Sequence, residues 1–376
     1  MWLESITTHN CRIIKEAKLI LSPVLNIIIG DNGSGKSSLL ETLSILSRGR
    51  SYRTSRIAEV ITHDADTILC TSHVRNSSNE THFPVGIEKN NKQTTIRINH
   101  QDIKSQATLS KSLPITIIHP DSVELITGGP SIRRAFIDWI AFYQSGDFYP
   151  LWKQYKHTLK QRNACLRDPS QRYALPYWTE QLVNMQKPLH DFRSQALDTL
   201  NQNISEYQEG LWSGANLTIK LSTGFPNDVD IADKQALQQV FDARLKNDIK
   251  SCKTFYGIHR SDLHILINGI TASQTVSRGQ LKILSILLLI AQSASASTNS
   301  KEKGIIAIDD LTAELDDTNR QRLLDLLIKT RQQLIITSTP QGMESINLGS
   351  TEKSMFHVKH GVFSKIDKAV EKDKRQ

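Results

Sequence analysis

The most informative part of this chain reads Gly30-Asp31-Asn32-Gly33-Ser34-Gly35-Lys36-Ser37. Its spacing, Gly-x-x-x-x-Gly-Lys-Ser, is typical of a phosphate-binding loop. The run before it, Val24 to Ile29, is apolar and β-branched and predicts a buried strand. Ser38 to Leu46 carries apolar residues at helical spacing. Strand, glycine loop and helix therefore follow one another in the order that a nucleoside triphosphate site requires.

The chemistry of this loop predicts a nucleoside triphosphate and Mg²⁺ as ligands. Glycines let the backbone curl until its N–H groups surround a phosphate, and the following helix N-terminus attracts negative charge. We expect Lys36 to reach the β- and γ-phosphates and the Ser37 hydroxyl to bind Mg²⁺. The predicted ATP-binding residues are Gly30, Asp31, Asn32, Gly33, Ser34, Gly35, Lys36, Ser37 and Ser38.

A second apolar run, Gly304 to Ile308, ends in Asp309 and Asp310. If this strand lies near the loop strand, Asp309 would hold the Mg²⁺ together with Ser37, and Asp310 would polarise the attacking water. The predicted catalytic residues are therefore Asp309, Asp310 and Lys36. Alone, the pattern is equally typical of a strand that ends in a polar turn. A helix from about residue 318 to 331 and a buried strand at 334–338 are predicted to follow.

The segment Ser277-Arg278-Gly279-Gln280 precedes an apolar helix that begins at Leu281. A serine, a glycine and a helix N-terminus make a second anion site, although an ordinary helix cap has the same residues. Because one chain already has its phosphate loop, a second site suggests an ATP held between two subunits.

Taken in order, these three elements resemble the heads of the ABC/SMC-type ATPases. Finer features resemble the RecF family of bacterial DNA replication and recombinational repair proteins, over residues 1 to about 345. They are the segments Leu46 to Arg53, His119-Pro120-Asp121, Gly128 to Trp139 and Gly257 to Leu263.

The resemblance implies a mechanism and partners. Two heads would associate head to tail on ATP, so that Ser277, Arg278, Gly279 and Gln280 of one subunit cap the γ-phosphate of the other. Asp316 would lie at the same interface. The resemblance also implies ATP-controlled binding of single-stranded, duplex or gapped DNA, RecA loading with RecO and RecR, and support of SOS induction. The activity would be a weak, DNA-stimulated ATPase that acts as a switch.

Two departures from the wider ABC pattern favour slow turnover. A glutamate usually stands where this chain has Asp310, and the shorter side chain holds a water less well. The histidine that many of these ATPases carry after the last strand is absent from Ile335 to Thr339.

Two other functions share part of this pattern. An ABC ATPase subunit that couples hydrolysis to a protein or membrane partner has the same nucleotide motifs. A small-molecule kinase has the loop but needs no Ser-Arg-Gly-Gln element. The long insert between the loop and the carboxylate strand argues against the first, and Ser277 to Gln280 argues against the second.

The spacing of the motifs predicts an α/β ABC-type head, with a mixed and an antiparallel sheet, that is interrupted by an insertion. We assign residues 1–110 and 250–364 to the head, 111–249 to a mainly helical lobe and 365–376 to a charged tail. Short alternating runs between residues 68 and 99 predict the antiparallel sheet.

The composition excludes several classes of protein. The chain has 376 residues with 46 lysines and arginines against 38 acids, a net charge of +8, and 38% hydrophobic residues. It is too hydrophobic to be disordered and long enough for a large core. Four scattered cysteines, without a Cys-x-x-Cys pair, indicate neither a disulfide scaffold nor a zinc site. No signal peptide or spanning run is seen, so we expect a soluble, reduced, cytoplasmic protein with no membrane partner.

Two basic clusters are candidates for DNA contact without sequence specificity. One is Arg48, Arg50, Arg53 and Arg56, and the resemblance favours it. The other is Lys153, Lys156, Lys160, Arg162, Arg167 and Arg172. A solvated helix face or a loop with internal ion pairs would give the same patterns.

Overall fold

The computed structural model describes residues 1–78, 80–211, 215–297, 302–311, 315–344 and 346–366. The chain divides into two compact units. The head unit contains Met1–Ser122, Tyr207–Leu211 and Ile286–Gln376, and the helical unit contains Val123–Glu206 and Trp212–Ser285.

The strands are defined by their residues. They are β1 Trp2–Cys11, β2 Ile14–Ile20, β3 Leu25–Ile29, β4 Ile68–Arg75, β5 His82–Lys89, β6 Thr94–Ile98, β7 Gln101–Ile103, β8 Ile115–Ile118, β9 Leu217–Leu221, β10 Leu263–Ile267, β11 Ile270–Thr271, β12 Ile305–Ile308, β13 Gln333–Ser338, β14 Lys353–Lys359 and β15 Val362–Lys365.

The α-helices, from short turns to long rods, are α1 Lys36–Arg48, α2 Gln106–Ser112, α3 Glu124–Thr127, α4 Pro130–Gln144, α5 Phe148–Arg167, α6 Leu175–Leu211, α7 Lys234–Ser251, α8 Ala272–Thr275, α9 Arg278–Ala296, α10 Asp317–Lys329 and α11 Pro340–Glu344.

One sheet of the head unit holds the motif strands, in the order β15-β14-β3-β13-β12-β8. All its neighbouring pairs are parallel except β14 with β15. Only β13 separates β3 from β12, so the carboxyl ends of both strands meet at one edge. Strands β3, β8, β12 and β13 are buried on both faces, which explains why their sequences are almost continuously apolar.

The second sheet of the head unit is antiparallel, in the order β2-β1-β4-β5-β6-β7. Helix α1 packs against β1 and β4 of this sheet and against β8 and β13 of the first. Leu39 and Leu43 of α1 are fully buried, and truncating such a leucine typically costs about 2–5 kcal/mol. The predicted mixed and antiparallel sheets are thus confirmed, with β4, β5 and β6 close to the predicted runs.

The compact units do not share the predicted domain boundaries. Ile115–Ile118 had been assigned to the lobe, but it forms β8, pairs in parallel with β12 and is buried at every residue. Residues 250–285 had been assigned to the head, but they belong to the helical unit. There β10 pairs with β9 and β11 in a small three-stranded antiparallel sheet. The predicted tail begins in β15, and residues 367–376 lie outside the described part.

Among the described residues, α9 alone is long and apolar enough for a membrane span by length and composition. Its mean hydropathy is 1.3 over the most apolar window, and 67% of that window is buried inside the protein. Buried core helices of globular proteins have the same length and apolar composition.

Candidate functional site

The phosphate loop has a shape that only glycine permits at two positions. A Cβ on Gly30 would lie 2.4 Å from the carbonyl oxygen of Val358. Gly35 caps α1 with φ +118, a region that side chains rarely enter. The loop is tied at its start, where the Gly30 N–H donates to the Ser338 carbonyl over 3.2 Å. The predicted loop is therefore formed at the carboxyl end of β3.

A neighbouring turn fixes the middle of the loop. Gly361, between β14 and β15, donates its N–H to the Ser34 carbonyl over 2.8 Å. The Ser34 Oγ is buried and has no hydrogen-bond partner among the described residues. A buried hydroxyl without a partner costs about 1–3 kcal/mol, so a ligand oxygen here would be stabilising.

Lys36 lies folded into the loop. Its Nζ donates to the carbonyl oxygens of Gly30 over 2.7 Å and of Asp31 over 2.9 Å. Burial lowers the pKa of Lys36, and the nearby charges of Asp310 and Asp309 oppose that shift. The two acids and the lysine are therefore brought together, as the sequence predicted.

The Asp309 carboxylate is held by hydroxyl groups from remote segments. Its Oδ1 accepts from Ser37 Oγ over 3.0 Å and from Thr337 Oγ1 over 3.1 Å. Its Oδ2 accepts from Tyr52 Oη over 2.8 Å. The pair predicted to hold Mg²⁺, Ser37 and Asp309, is in direct contact.

Asp310 has an unusual backbone. Its φ is +55, and its N–H donates to Thr337 Oγ1 over 2.9 Å. A non-glycine residue in the left-handed region is held there by its surroundings and is frequent at functional sites.

Below the loop, the fully buried Glu41 of α1 organises several polar groups. Arg12 donates to both of its oxygens, over 2.8 and 2.9 Å, and Ser51 Oγ donates over 2.6 Å. The hydrogen bond to Glu41 raises the pKa of Arg12, so the guanidinium stays charged. Arg12 thus supports the helix that carries Lys36 and Ser37.

The Ser277 to Gln280 segment lies in the helical unit and forms the capping box of α9. Ser277 Oγ accepts from the Gln280 N–H over 3.3 Å, and Gln280 Oε1 accepts from the Ser277 N–H over 2.9 Å. Ser277, Arg278, Gly279 and Gln280 are all exposed. Their predicted contact with a second subunit stays a prediction.

Asp316 caps another helix. Its carboxylate accepts from the Asn319 N–H over 2.8 Å, a bond that lowers the pKa of Asp316. Residues 312–314, between Asp310 and this cap, lie outside the described part of the chain.

The arginine cluster after α1 is only partly available to a ligand. Arg48 is half-buried and donates to the Ile115 carbonyl over 3.1 Å. Arg53 lies 3.8 Å from Glu41, and Arg56 lies 3.4 Å from Glu59. Arg50, Arg53 and Arg56 are exposed.

The second basic cluster loses one member. Arg162 is fully buried and forms an ion pair of 3.0 Å with Asp248, so its assignment to a DNA-binding face was wrong. The remaining exposed cations of α5 are Lys153, Lys156, Lys160 and Arg167.

Sequence reasoning gave Tyr52 no role, although it lies in the segment Leu46 to Arg53. No local pattern shows that a tyrosine hydroxyl meets an aspartate 257 residues away. Among the described residues, no group of three or more histidines, cysteines or acids could hold a metal by itself.

Comparison with known proteins gives consistent matches over nearly the whole chain. A family model described as the RecF/RecN/SMC N terminal domain matches residues 2–364. The DNA replication and repair protein RecF of Shewanella denitrificans is 32% identical over 362 residues, covering 96% of this chain and 98% of that protein. The protein of the same name from Vibrio parahaemolyticus is 32% identical over 362 residues, covering 96% and 99%.

Solved structures agree with this similarity. The structure of the recombination mediator protein RecF with ATPrS in the RecFOR pathway has a TM-score of 0.84 at 25% identity, covering 97% of this chain and 98% of that one. An SMC head bound to the C-winged helix domain of ScpA has a TM-score of 0.57 at 15% identity, covering 97% and 98%. The second match shows only the shared head fold.

Proposed function

This chain belongs to the RecF/RecN/SMC N terminal domain family and to its RecF branch of DNA replication and repair proteins, and from that premise we propose an ATP-switched DNA-binding protein of gap repair. In this proposal two heads associate on ATP and hold DNA, and slow hydrolysis separates them. RecF structures with bound nucleotide support ATP as the ligand.

The residues present fit ATP and Mg²⁺. A Cβ at Gly30 would collide with the Val358 carbonyl and with Ser34 Oγ, so glycine is needed for the loop to close there, and the buried Ser34 hydroxyl lacks a partner among the described residues. Ser37 can offer an oxygen lone pair to a cation while its hydroxyl donates a hydrogen bond to Asp309 Oδ1 over 3.0 Å. When bound, Mg²⁺ would neutralise charge on the phosphates.

Lys36 would exchange its two carbonyl partners for phosphate oxygens. The exchange is favourable because a buried ammonium gains more from an anion than from neutral carbonyls. Asp310 would accept a hydrogen bond from the attacking water. Its short side chain and its constrained backbone suit slow ATP hydrolysis, which would set how long the ATP-bound state lasts.

The Ser277 to Gln280 segment would contact the γ-phosphate bound by a second copy of the chain. Its exposure supports this role. A Cβ added to Gly279 would meet nothing within 4 Å, so nothing in the described part of this chain requires glycine there. A phosphate that approaches the backbone N–H groups would require it. Asp316 at the start of α10 would lie at the same interface.

The exposed face of α5 is the surface that we propose for DNA. At 100° per residue, Tyr149, Lys153, Lys156, Lys160 and Arg167 lie within an arc of about 60° that runs for about 27 Å. The helix contains no acid. Lys156 Nζ lies 4.6 Å from the Trp152 ring, and Trp152 stacks on Tyr149. A row of cations without acids fits a phosphate backbone and carries no sequence information.

The exposed arginines after α1 would add a second contact, in the head unit. Arg56 would exchange its surface ion pair with Glu59 for a phosphate, and exposed ion pairs are worth only about 0–1 kcal/mol. Arg53, whose side chain is half exposed, would turn from its longer 3.8 Å contact with the buried Glu41. Arg48 contributes to packing instead.

RecO and RecR are the proposed partners, with RecA loading at gaps and support of SOS induction downstream. This part of the proposal rests on the RecF similarity and on the RecFOR pathway named for the matching structures.

The observation that carries the proposal is the contact between Ser37 and Asp309 beside the glycine loop. Its test is fluorescence anisotropy of labelled single-stranded, duplex and gapped DNA with ATP, with ADP and without nucleotide, at one fixed salt concentration. We expect affinity to rise with ATP and to fall with ADP. Equal affinity in all three nucleotide states would contradict an ATP switch, and absence of binding would contradict DNA as the partner.

A further inference from the structure

Tyr52 is placed to control the orientation of the Asp309 carboxylate. Its Oη donates to Oδ2 over 2.8 Å, while Ser37 and Thr337 donate to Oδ1. The two oxygens therefore have different partners. Without the tyrosine hydroxyl, the carboxylate has no donor on Oδ2 among the described contacts and can rotate about its Cβ–Cγ bond.

The Tyr52 ring is itself fixed. It packs against the His119 ring, with 4.9 Å between centroids. Ser51 Oγ donates to the buried Glu41 over 2.6 Å and accepts from the Arg53 N–H over 3.0 Å, so the backbone on both sides of Tyr52 is anchored. A hydroxyl on an anchored ring is a better positioner than one on a free side chain, because little rotational freedom is lost.

The phenol keeps its proton. A phenol is protonated at neutral pH, so the 2.8 Å contact is a hydrogen bond that Tyr52 donates to Asp309.

We propose that Tyr52 is a positioning residue for the Mg²⁺ site: its hydroxyl holds Asp309 so that Oδ1 stays beside Ser37 and available to the cation. This inference rests on the proposed ATP and Mg²⁺ site. Partners that orient a metal-binding group typically change metal affinity by about 10–100-fold when removed.

The test measures Mg²⁺-dependent binding of a fluorescent ATP analogue, without turnover. Wild-type protein and Tyr52→Phe are titrated with Mg²⁺ at fixed analogue, and each is also titrated with analogue in EDTA. We expect the half-saturating Mg²⁺ concentration to rise about tenfold in Tyr52→Phe, with affinity in EDTA unchanged within about twofold.

The matched control is Tyr155→Phe, which removes another buried tyrosine hydroxyl, one that contacts His259 over 2.7 Å in the helical unit. It should leave the Mg²⁺ dependence unchanged. Thr337→Val removes a different donor to Asp309 and should also raise the half-saturating Mg²⁺ concentration, which provides a second variant if Tyr52→Phe folds poorly.

The outcomes separate the two proposals. Loss of analogue binding in the wild type, with or without Mg²⁺, would overturn the proposed ATP site itself. Normal Mg²⁺-dependent binding in the wild type and an identical titration in Tyr52→Phe would overturn only the role of Tyr52. If Tyr52→Phe lost affinity for the analogue equally in EDTA and in Mg²⁺, that role would also be overturned. The hydroxyl would then stabilise the nucleotide-binding loop and would not position a ligand of the cation.

Discussion

Ser37 Oγ lies 3.0 Å from Asp309 Oδ1, although the two residues are 272 positions apart in the chain. The contact exists because β3 and β12 are separated by one strand in the same parallel sheet, so that the start of α1 and the end of β12 share an edge. The arrangement leads to predictions about binding, hydrolysis and stability.

Lys36→Arg should weaken binding of ATP by about tenfold or more, since the longer, planar guanidinium does not fit between the Gly30 and Asp31 carbonyls. Titration with a fluorescent ATP analogue measures the change. Unfolding by urea should be close to that of the wild type. Wild-type affinity would argue against the phosphate role of Lys36.

Ser277→Arg should leave that titration unchanged and abolish the ATP-dependent gain in DNA affinity. The serine is exposed and caps α9, and in the proposed mechanism the added side chain blocks the contact with a second protomer. Light scattering with ATP should show a monomer. An ATP-dependent dimer in this variant would remove the trans contact from the mechanism.

Asp310→Asn should reduce ATP hydrolysis about a hundredfold while ATP binding is retained, because the amide accepts a hydrogen bond from water but takes up no proton. Asparagine also tolerates the φ of +55 at this position. Phosphate release is the assay, and DNA complexes formed with ATP should last longer than those of the wild type. Unreduced hydrolysis would assign the base to another residue.

The α5 face is tested by charge reversal. Lys153→Glu, Lys156→Glu and Lys160→Glu together should weaken DNA binding and reduce the slope of log affinity against log salt by about 3. Lys234→Glu, Lys246→Glu and Lys250→Glu on α7 make the same charge change at exposed positions of the same unit. If both triple variants lose DNA affinity equally, the loss is caused by the change in net charge and not by the α5 face.

Arg162→Ala should destabilise the helical unit by about 3–5 kcal/mol, because it leaves Asp248 as a buried charge without its partner. Both side chains are essentially inaccessible, and Arg162 also donates to Thr179 and Thr254. Urea unfolding followed by circular dichroism measures the loss. A change below about 1 kcal/mol would place the pair in a much more polar environment than the structure shows.

Stability should fall as the pH is lowered, in part through His259. Burial lowers its pKa to about 4 from 6.5, and both ring nitrogens are engaged, with Tyr155 and with the Thr254 carbonyl. Unfolded chains therefore bind the proton first as the pH falls from 6.5 towards 4. Between pH 7 and pH 5, protonation of this histidine in the unfolded chain lowers the free energy of unfolding by about 2 kcal/mol.

Urea unfolding at several pH values tests this expectation. In His259→Gln, which keeps one donor and one acceptor, the free energy of unfolding should vary less between pH 7 and pH 5. Equal pH dependence in the two proteins would assign the acid sensitivity to other groups.

Local patterns were sufficient for the elements that contain the nucleotide motifs. The strand before Gly30 and the helix after it are apolar in the right period and flank a glycine loop, and the strand before Asp309 is marked by the two acids that follow it, so each is recognised locally. Their order also predicted the ABC-type head. Strand β8 was not predicted, because it carries no motif and owes its position to β12, a distant partner that no local pattern indicates.

The difference between the two kinds of information is clearest at Tyr52 and Arg162. Residue types and spacing identified a phosphate loop, its lysine and its acids, since backbone geometry and charge requirements act over a few neighbouring residues. Whether a tyrosine hydroxyl meets a carboxylate, or an arginine on a basic helix is buried, depends on which remote segments pack beside it. Those contacts arise from the packing of the whole unit, because hydrogen bonds and ion pairs act only between groups that folding brings within a few ångströms.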